Sequence, residues 1–306
     1  MTNRTPLITK IKVEIAGANV IIEDADIELE IKKTNEKEPN YCTITVYNMA
    51  DTTYNNINDK ALYARVYADI GLKGYSLIFE GDLRNIQKYK KPSKTKSKYT
   101  KSGKLRKVRK STAEPKYNEP AVRVEDEGSD VKTIIELQDG LKSQFLNFHY
   151  KVGYEGKISN IDVLNKCLET LRGGAVGLGQ IDTPNEHIFS NGFSYSGPIY
   201  NLATQMAALG GCNLTIQDSV VSCIRKGGKN LDYIYVLDGN NCARPEEDTN
   251  KEINVYAPVL PSLNPDNMIK LDFDKINGTY KVYKIDTTLN NYGGSGQGSK
   301  IVVKAI

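Results

Sequence analysis

Hydrophobic and polar residues alternate through most of the first ninety positions. Ile11, Val13 and Ile15 are separated by polar neighbours, as are Ile27, Leu29 and Ile31 in DIELEIK and Cys42, Ile44 and Val46 in CTITVYN. A period of two buries one face of a strand and wets the other, so these stretches predict antiparallel strands. AGAN and EDAD read as turns between the first strands. NMADTTYNNIND predicts one short helix. ALYARVYADIG and SLIFEGDLRNIQ predict two longer strands joined at Lys73–Gly74.

The period changes in the middle of the chain. SNIDVLNKCLETL opens on a capping pattern, Ser159 with Asp162. Leu164, Cys167, Leu168 and Leu171 then share one face at helical spacing, and Gly173–Gly174 end the helix. A second helix follows Ser196–Gly197, with Pro198 at its first position and Ile199, Leu202, Ala203, Met206 and Leu209 on its apolar face. Gly210–Gly211 stop it. CNLTIQDSVVSCIRKGG predicts a hairpin turning at Asp218–Ser219. The middle therefore reads as two small helix-plus-strand units, a weak internal repeat. From Leu231 onward strands return in DYIYVLD, EINVYAP, MIKLDF, GTYKVYKIDTT and SKIVVKAI.

One stretch fits neither pattern. KYKKPSKTKSKYTKSGKLRKVRK holds Lys88, Lys90, Lys91, Lys94, Lys96, Lys98, Lys101, Lys104, Arg106, Lys107, Arg109 and Lys110 without one acidic residue. Its composition cannot bury enough apolar surface to order it. It lies between predicted strands, as the tip of an elongated hairpin, where extra length costs little because loop-closure entropy grows slowly. The whole chain carries a net +4, and this stretch alone carries +12, so the remainder is net −8. A uniformly basic nucleic-acid binder would spread its excess over a face. Two readings of the stretch stay open. Tyr89 and Tyr99 could stack on bases of a bound nucleic acid. Alternatively, the stretch docks on an acidic neighbouring subunit or is inert, and the acidic remainder favours this second reading.

At 306 residues, 39% hydrophobic and 25% charged, the chain has globular composition and length for about two domains. Five scattered cysteines, Cys42, Cys167, Cys212, Cys223 and Cys242, with no C-x-x-C spacing, argue against a disulfide framework or zinc ribbon and fit cytoplasmic assembly. The start lacks an apolar core of signal-peptide length, and no run approaches a membrane helix. Of the two histidines, His149 lies on a predicted strand and His187 in a loop, and nothing in their spacing makes a metal pair. GGAVGLGQ, Gly173 to Gln180, follows a helix and lacks the Lys-Ser/Thr ending of a phosphate loop, so it reads as a flexible connector. No nucleophile elbow occurs. No catalytic residue, metal ligand or cofactor is expected; carboxylates are plentiful, but no pair is singled out for a two-carboxylate hydrolase, which stands as an alternative.

The C-terminal segment INVYAPVLPSLNPDNMIKLDFDKINGTYKVYKIDTTLNNYGGSGQGSKIVVKAI resembles the end of the baseplate hub proteins of tailed bacteriophages. The matching positions are the Leu263-Asn264-Pro265 turn and Asn277-Gly278-Thr279-Tyr280-Lys281-Val282, followed by a long strand, a Gly-rich loop and a final strand. VYNMADTTYNNI, IFEGDLRNI and the order of elements in the middle also resemble that family. The likeness covers most of the chain except the basic stretch and a long loop near Asp248, and the order of the motifs carries it. It implies a mainly β fold with small α/β subdomains: two tail-tube-like β-barrel domains plus two small helix-strand domains. The implied boundaries are 1–145 for the first tube-like domain with the basic insert at 88–118, 146–228 for the small α/β domains, and 229–306 for the strands completing the second tube-like domain. It further implies a structural, non-enzymatic hub subunit of a virion tail baseplate, assembled in the bacterial host cytoplasm. The implied partners are two further copies in a homotrimeric pseudo-sixfold ring, tail tube or distal tube proteins, a central spike and other baseplate proteins, with DNA present only in passage through the lumen. The twelve basic residues are candidate partner contacts. Asn264, Pro265, Asn277, Gly278, Tyr280 and Val282 are the family-like structural positions. A glycan- or receptor-binding tail protein, a tail-associated peptidoglycan hydrolase, and the hub of a bacteriocin-like injection machine are the alternatives.

Overall fold

The computed structural model describes residues 10–35, 38–69, 71, 74–90, 131–139, 148–172, 177–218, 220–226, 230–249, 251–292 and 297–305. Alternation becomes strand wherever it was read. The first part contains β1 (Lys10–Ala16), β2 (Val20–Ile22), β3 (Ile27–Thr34), β4 (Tyr41–Tyr47), α1 (Asp51–Lys60), β5 (Tyr63–Asp69), β6 (Ser76–Lys90) and β7 (Val131–Gln138). Its in-phase residues, among them Ile11, Val13, Ile27, Leu29, Cys42, Ile44, Phe79 and Ile135, form one apolar cluster closed by Ile57 of α1.

The middle unit runs through β8 (His149–Tyr154), β9 (Ile158–Ser159), α2 (Asn160–Arg172), β10 (Gly177–Ile181), β11 (Ile188–Phe189), β12 (Phe193–Pro198), α3 (Ile199–Leu209), β13 (Cys212–Gln217) and β14 (Val220–Arg225). The start of α2 is capped as its sequence predicts: Asp162 N–H donates to Ser159 Oγ at 3.1 Å, and Ser159 N–H donates back to Asp162 Oδ2 at 3.3 Å. Pro198 is the N-cap of α3 rather than its first helical residue, and Gly210 caps its end. Both helices and the β13–β14 hairpin share a single apolar cluster, so the two helix-strand units pack as one body. Of the expected connector at Gly173–Gln180, residues 173–176 lie outside the described residues, and Gly177 to Gln180 belong to β10, which pairs in parallel with β14.

The last part contains β15 (Asn230–Asp238), β16 (Glu246–Glu247), β17 (Ile253–Ala257), β18 (Asn267–Asp272), β19 (Asn277–Asn290) and β20 (Gly298–Ala305), around a third cluster built on Val255, Ile269, Leu271, Val282, Ile301 and Val303.

These strands repeat the first part. In chain order β3, β4, β5, β6 and β7 correspond to β16, β17, β18, β19 and β20, and they pair in the same spatial order, β5-β6-β7-β4-β3 and β18-β19-β20-β17-β16. The two long strands carry a bulge at the matching place, between Leu83 and Asn85 against β7 and between Val282 and Lys284 against β20. Two connections differ. Helix α1 links β4 to β5, whereas residues 258–266 link β17 to β18. Residues 91–130 link β6 to β7, whereas 291–297 link β19 to β20. The fold is mainly β, as expected, but among the described residues neither half closes into a barrel. The halves are joined into one thirteen-stranded sheet through β3 and β19, which pair from Lys284↔Thr34 to Asn290↔Glu28.

Candidate assembly interface

The strand β19 is long enough to serve two partners on one edge. Residues Asn277–Lys281 pair with β18, and Lys284–Asn290, beyond the bulge, pair with β3. A bulge bends a strand and increases its twist, which lets the second segment leave the plane of β18 and meet a new strand. Strand β6 has the same form. Residues Ser76–Asp82 pair with β5, and Asp82–Lys90 pair with β7 on the other edge. Among the described residues no strand pairs with the β5-side edge of β6 beyond Asp82. Gly81 sits at this changeover, and a Cβ there would lie 2.5 Å from the carbonyl oxygen of Gln138. At the other end of the sheet, the outer edge of β16 also has no strand partner among the described residues.

The joined sheet presents one continuous polar face opposite the two cores. One row of cross-strand neighbours reads Tyr256, Lys300, Asp286, Lys32, Tyr41 and Gln138. The next reads Thr288, Glu30, Thr43, Glu136 and Asn85, with Asn85 Nδ2 donating to Glu136 Oε2 at 3.1 Å. In the first row Asp286 stands between Lys300 and Lys32, which favours the pairing, and the two rows together hold three acidic and two basic side chains, so this part of the face has no cationic excess.

A buried polar junction fixes the middle unit to this sheet. Lys33 continues the inward phase of β3 after Ile27, Leu29 and Ile31 and is only 5% exposed. Its ammonium donates to both carboxylate oxygens of Asp218, at 3.0 and 2.8 Å, and to Asn264 Oδ1 at 2.8 Å. The fully buried Asn40 donates to Gln217 Oε1 at 2.7 Å, and Gln217 Nε2 donates to the Thr34 carbonyl at 3.1 Å. The hairpin turn of the middle unit thus meets both halves at one rim, formed by the end of β3 and the start of β4. The basic stretch leaves from the other rim. It departs after Lys90, which is paired with Val131, and the length of β7 separates the rims by about 24 Å at ~3.4 Å per residue.

The predicted site residues do not form one cluster. Lys88 is a strand residue whose ammonium donates to the Met49 carbonyl at 3.1 Å, pairs with Asp51 and lies over the Tyr54 ring. Lys90 ends β6. Lys91, Lys94, Lys96, Lys98, Lys101, Lys104, Arg106, Lys107, Arg109 and Lys110 lie outside the described residues. Asn264 belongs to the junction, and its backbone N–H donates to Asn267 Oδ1 at 2.7 Å. Pro265 follows it in the same turn. Asn277 donates to Asp272 Oδ1 at 2.9 Å across the β18–β19 turn, where Gly278 has φ +151°. Tyr280 and Val282 pack in the third cluster. Sequence reasoning missed Lys33, Asn40, Gln217 and Asp218. The signal for Lys33 was a charge standing in the buried phase of an alternating strand; the other three had none.

Other chemistry is sparse. Asp218 and Asp266 line a polar cleft of about 220 Å³, but Lys33 holds the first and Lys281 the second, at 2.7 Å. Both carboxylates therefore serve as partners in ion pairs that join parts of the chain. All five cysteines are buried and outside any disulfide, and burial pushes the Cys167 and Cys223 thiols up to about 12, away from thiolate chemistry. His149 bonds Ser196 Oγ at 3.0 Å, and His187 stacks edge-on against Phe189. Among the described residues no group of three His, Cys, Asp or Glu side chains could hold a metal, and no helix is long and apolar enough to cross a membrane.

No protein-family model matches the sequence, and no curated protein matches it. Solved structures do match the fold. A tail protein from Neisseria meningitidis MC58 aligns over 97% of this chain and 96% of its own, at TM-score 0.60 and 8% identity. The 43 kDa tail protein of prophage MuSo2 from Shewanella oneidensis aligns over 96% of each chain, at 0.57 and 9%. An E. coli component of the type VI secretion system, described as structurally similar to the T4 bacteriophage tail proteins gp27 and gp5, aligns over 96% of this chain and 77% of its own, at 0.54 and 8%. The chain therefore shares the fold of these tail and type VI secretion proteins.

Proposed function

We propose that this protein is a structural hub subunit of a phage-type tail baseplate. Three copies form a pseudo-sixfold ring that joins a hexameric tail tube to a trimeric central spike and lets DNA pass. One observation carries this reading: two copies of one strand pattern, within a single chain, are joined edge to edge through β3 and β19 into a continuous sheet. A sixfold ring needs six equivalent modules, and a chain holding two supplies them as a trimer. The polar face, with neighbouring charges of opposite sign, suits a lumen through which a polyanion moves without binding.

The three apolar clusters support a division into a first tube-like domain at 1–145, the middle unit at 146–228 and a second tube-like domain at 229–306. The middle unit then hangs on the spike side. The basic stretch leaves from the opposite rim, and its Lys and Arg residues contact the tube or another baseplate protein stacked there. The chain acts in the tail of a particle, without catalysis or cofactor, after assembly in the host cytoplasm.

Light scattering at several concentrations tests the reading on the full chain and on a variant lacking residues 91–110, which keeps Lys88 in its strand. Trimers in both are expected. Monomers of both at every concentration would count against the ring. A monomer that binds DNA only with the basic stretch present would move the function to nucleic-acid binding.

A further inference from the structure

We infer that the open edge of β6 takes up strand β16 of a second copy of this chain, in a defined register. The inference rests on the ring reading above and names its contact. Inside one chain, the edge of β19 beyond the bulge is filled by β3. The repeat makes β6 the counterpart of β19 and β16 the counterpart of β3, and both counterparts are left with open edges among the described residues. Open edges present rows of backbone donors and acceptors that pair readily with another chain. A contact of β6 on one copy with β16 on the next is head-to-tail, the type that generates rings.

The register follows residue by residue. The matching bulges align Asn85 with Lys284 and hence Tyr89 with Thr288, which faces Glu30 within the chain. Glu30 pairs with Thr43 as Glu246 pairs with Asn254, and Thr43 and Asn254 occupy the same place against β7 and β20. Tyr89 of one copy therefore faces Glu246 of the next, and Lys88 faces Glu247. The charges agree with this pairing. Glu246 and Glu247 are exposed, and Glu247 would join Asp51 around the Lys88 ammonium. Opposite charges placed across a strand pair favour it.

Disulfide trapping tests the register. Tyr89→Cys and Glu246→Cys are combined in one chain and oxidised with copper–phenanthroline. Within a chain seven strand spacings separate these positions, a path of about 34 Å along the sheet, against the ~7 Å limit for a disulfide. Every bridge is therefore between copies, and the buried native cysteines add little background. Covalent dimers and trimers are expected from this pair, and not from Tyr89→Cys with Glu247→Cys, which places the thiols on opposite faces. If Tyr89→Cys prevents folding, Gln87→Cys with Asp248→Cys reads the same register. A particle of trimer mass that does not cross-link at the predicted pair overturns the pairing and leaves the ring standing. A monomer at every concentration, without cross-links, overturns both.

Discussion

Lys33 shows how one residue can set the relation between parts of a chain. A lysine ammonium taken out of water is costly unless paired, and here the partner is supplied from a turn 185 residues away. Removing the partner should cost more than the pair itself contributes, because the charge stays buried. Asp218 has φ +46°, a conformation that asparagine tolerates, so Asp218→Asn removes charge without backbone strain. We expect it to destabilise the protein by about 3 kcal/mol in urea denaturation; a loss within ~0.5 kcal/mol would show that water already solvates Lys33. Two other aspartates should respond to pH in opposite directions. The Arg225 N–H, at 2.8 Å, and the Gln180 amide hold Asp182 below the ordinary carboxylate range. Its contribution is therefore present above the unfolded value of about 4 and is lost as pH falls through the folded value. Burial raises Asp82, against the pull of Arg84. The folded protein then favours the protonated acid, and stability is lost as pH rises through the folded value. Asp182→Asn should weaken the protein at pH 7, Asp82→Asn should strengthen it, and both differences should vanish near pH 2. Equal effects at pH 7 and pH 2 would mean that the shapes of these side chains, and not their charges, are responsible.

At the scale of elements, most strands were legible because each needs only a local pattern, one buried face and one wet face. The helices were legible through caps and glycine stops: Ser159 with Asp162, and Gly210 after α3. What pairs with what was not legible. The join of β3 to β19 links residues 250 to 262 apart, and Lys284–Asn290 look no different in sequence from the Asn277–Lys281 segment that pairs with β18. Among the described residues the expected closed barrels give way to a shared sheet, in which the long strands reach past their hairpin partners. The changeover in β6 depends on Gly81, where β6 passes against the Gln138 carbonyl. Gly81→Val should push the strands apart there, at a cost on the order of 2 kcal/mol, and should lower self-association along with stability. Hydrogen exchange read along β6 and β7 would locate the effect. Unchanged protection at Asp82–Lys90 would show that the strands absorb a side chain at this point and that the glycine is not required.

For the whole molecule, the division of apolar and polar contacts sets which parts unfold together. The two halves share more than strand pairing: Val259 and Leu289, both from the last part, are buried in the first cluster. The middle unit has its own closed cluster and meets the sheet through Lys33, Asn40, Gln217 and Asp218, side chains that water can satisfy once they separate. Apolar burial, which drives cooperativity, therefore couples the halves to each other more strongly than to the middle unit. Calorimetry on the full chain should resolve two transitions, one for the joined sheet and one for residues 149–226. Asp218→Asn should move them further apart by removing much of what the two share. A single transition whose calorimetric and van't Hoff enthalpies agree would overturn this division and would make the junction a rigid coupling. The two outcomes assign different mechanics to the same fold. With separate transitions, the middle unit can tilt against a fixed sheet by exchanging the Lys33–Asp218 contact for water. With a single transition, any force on the middle unit is carried through Lys33 into β3, and from β3 into β19 and both halves at once.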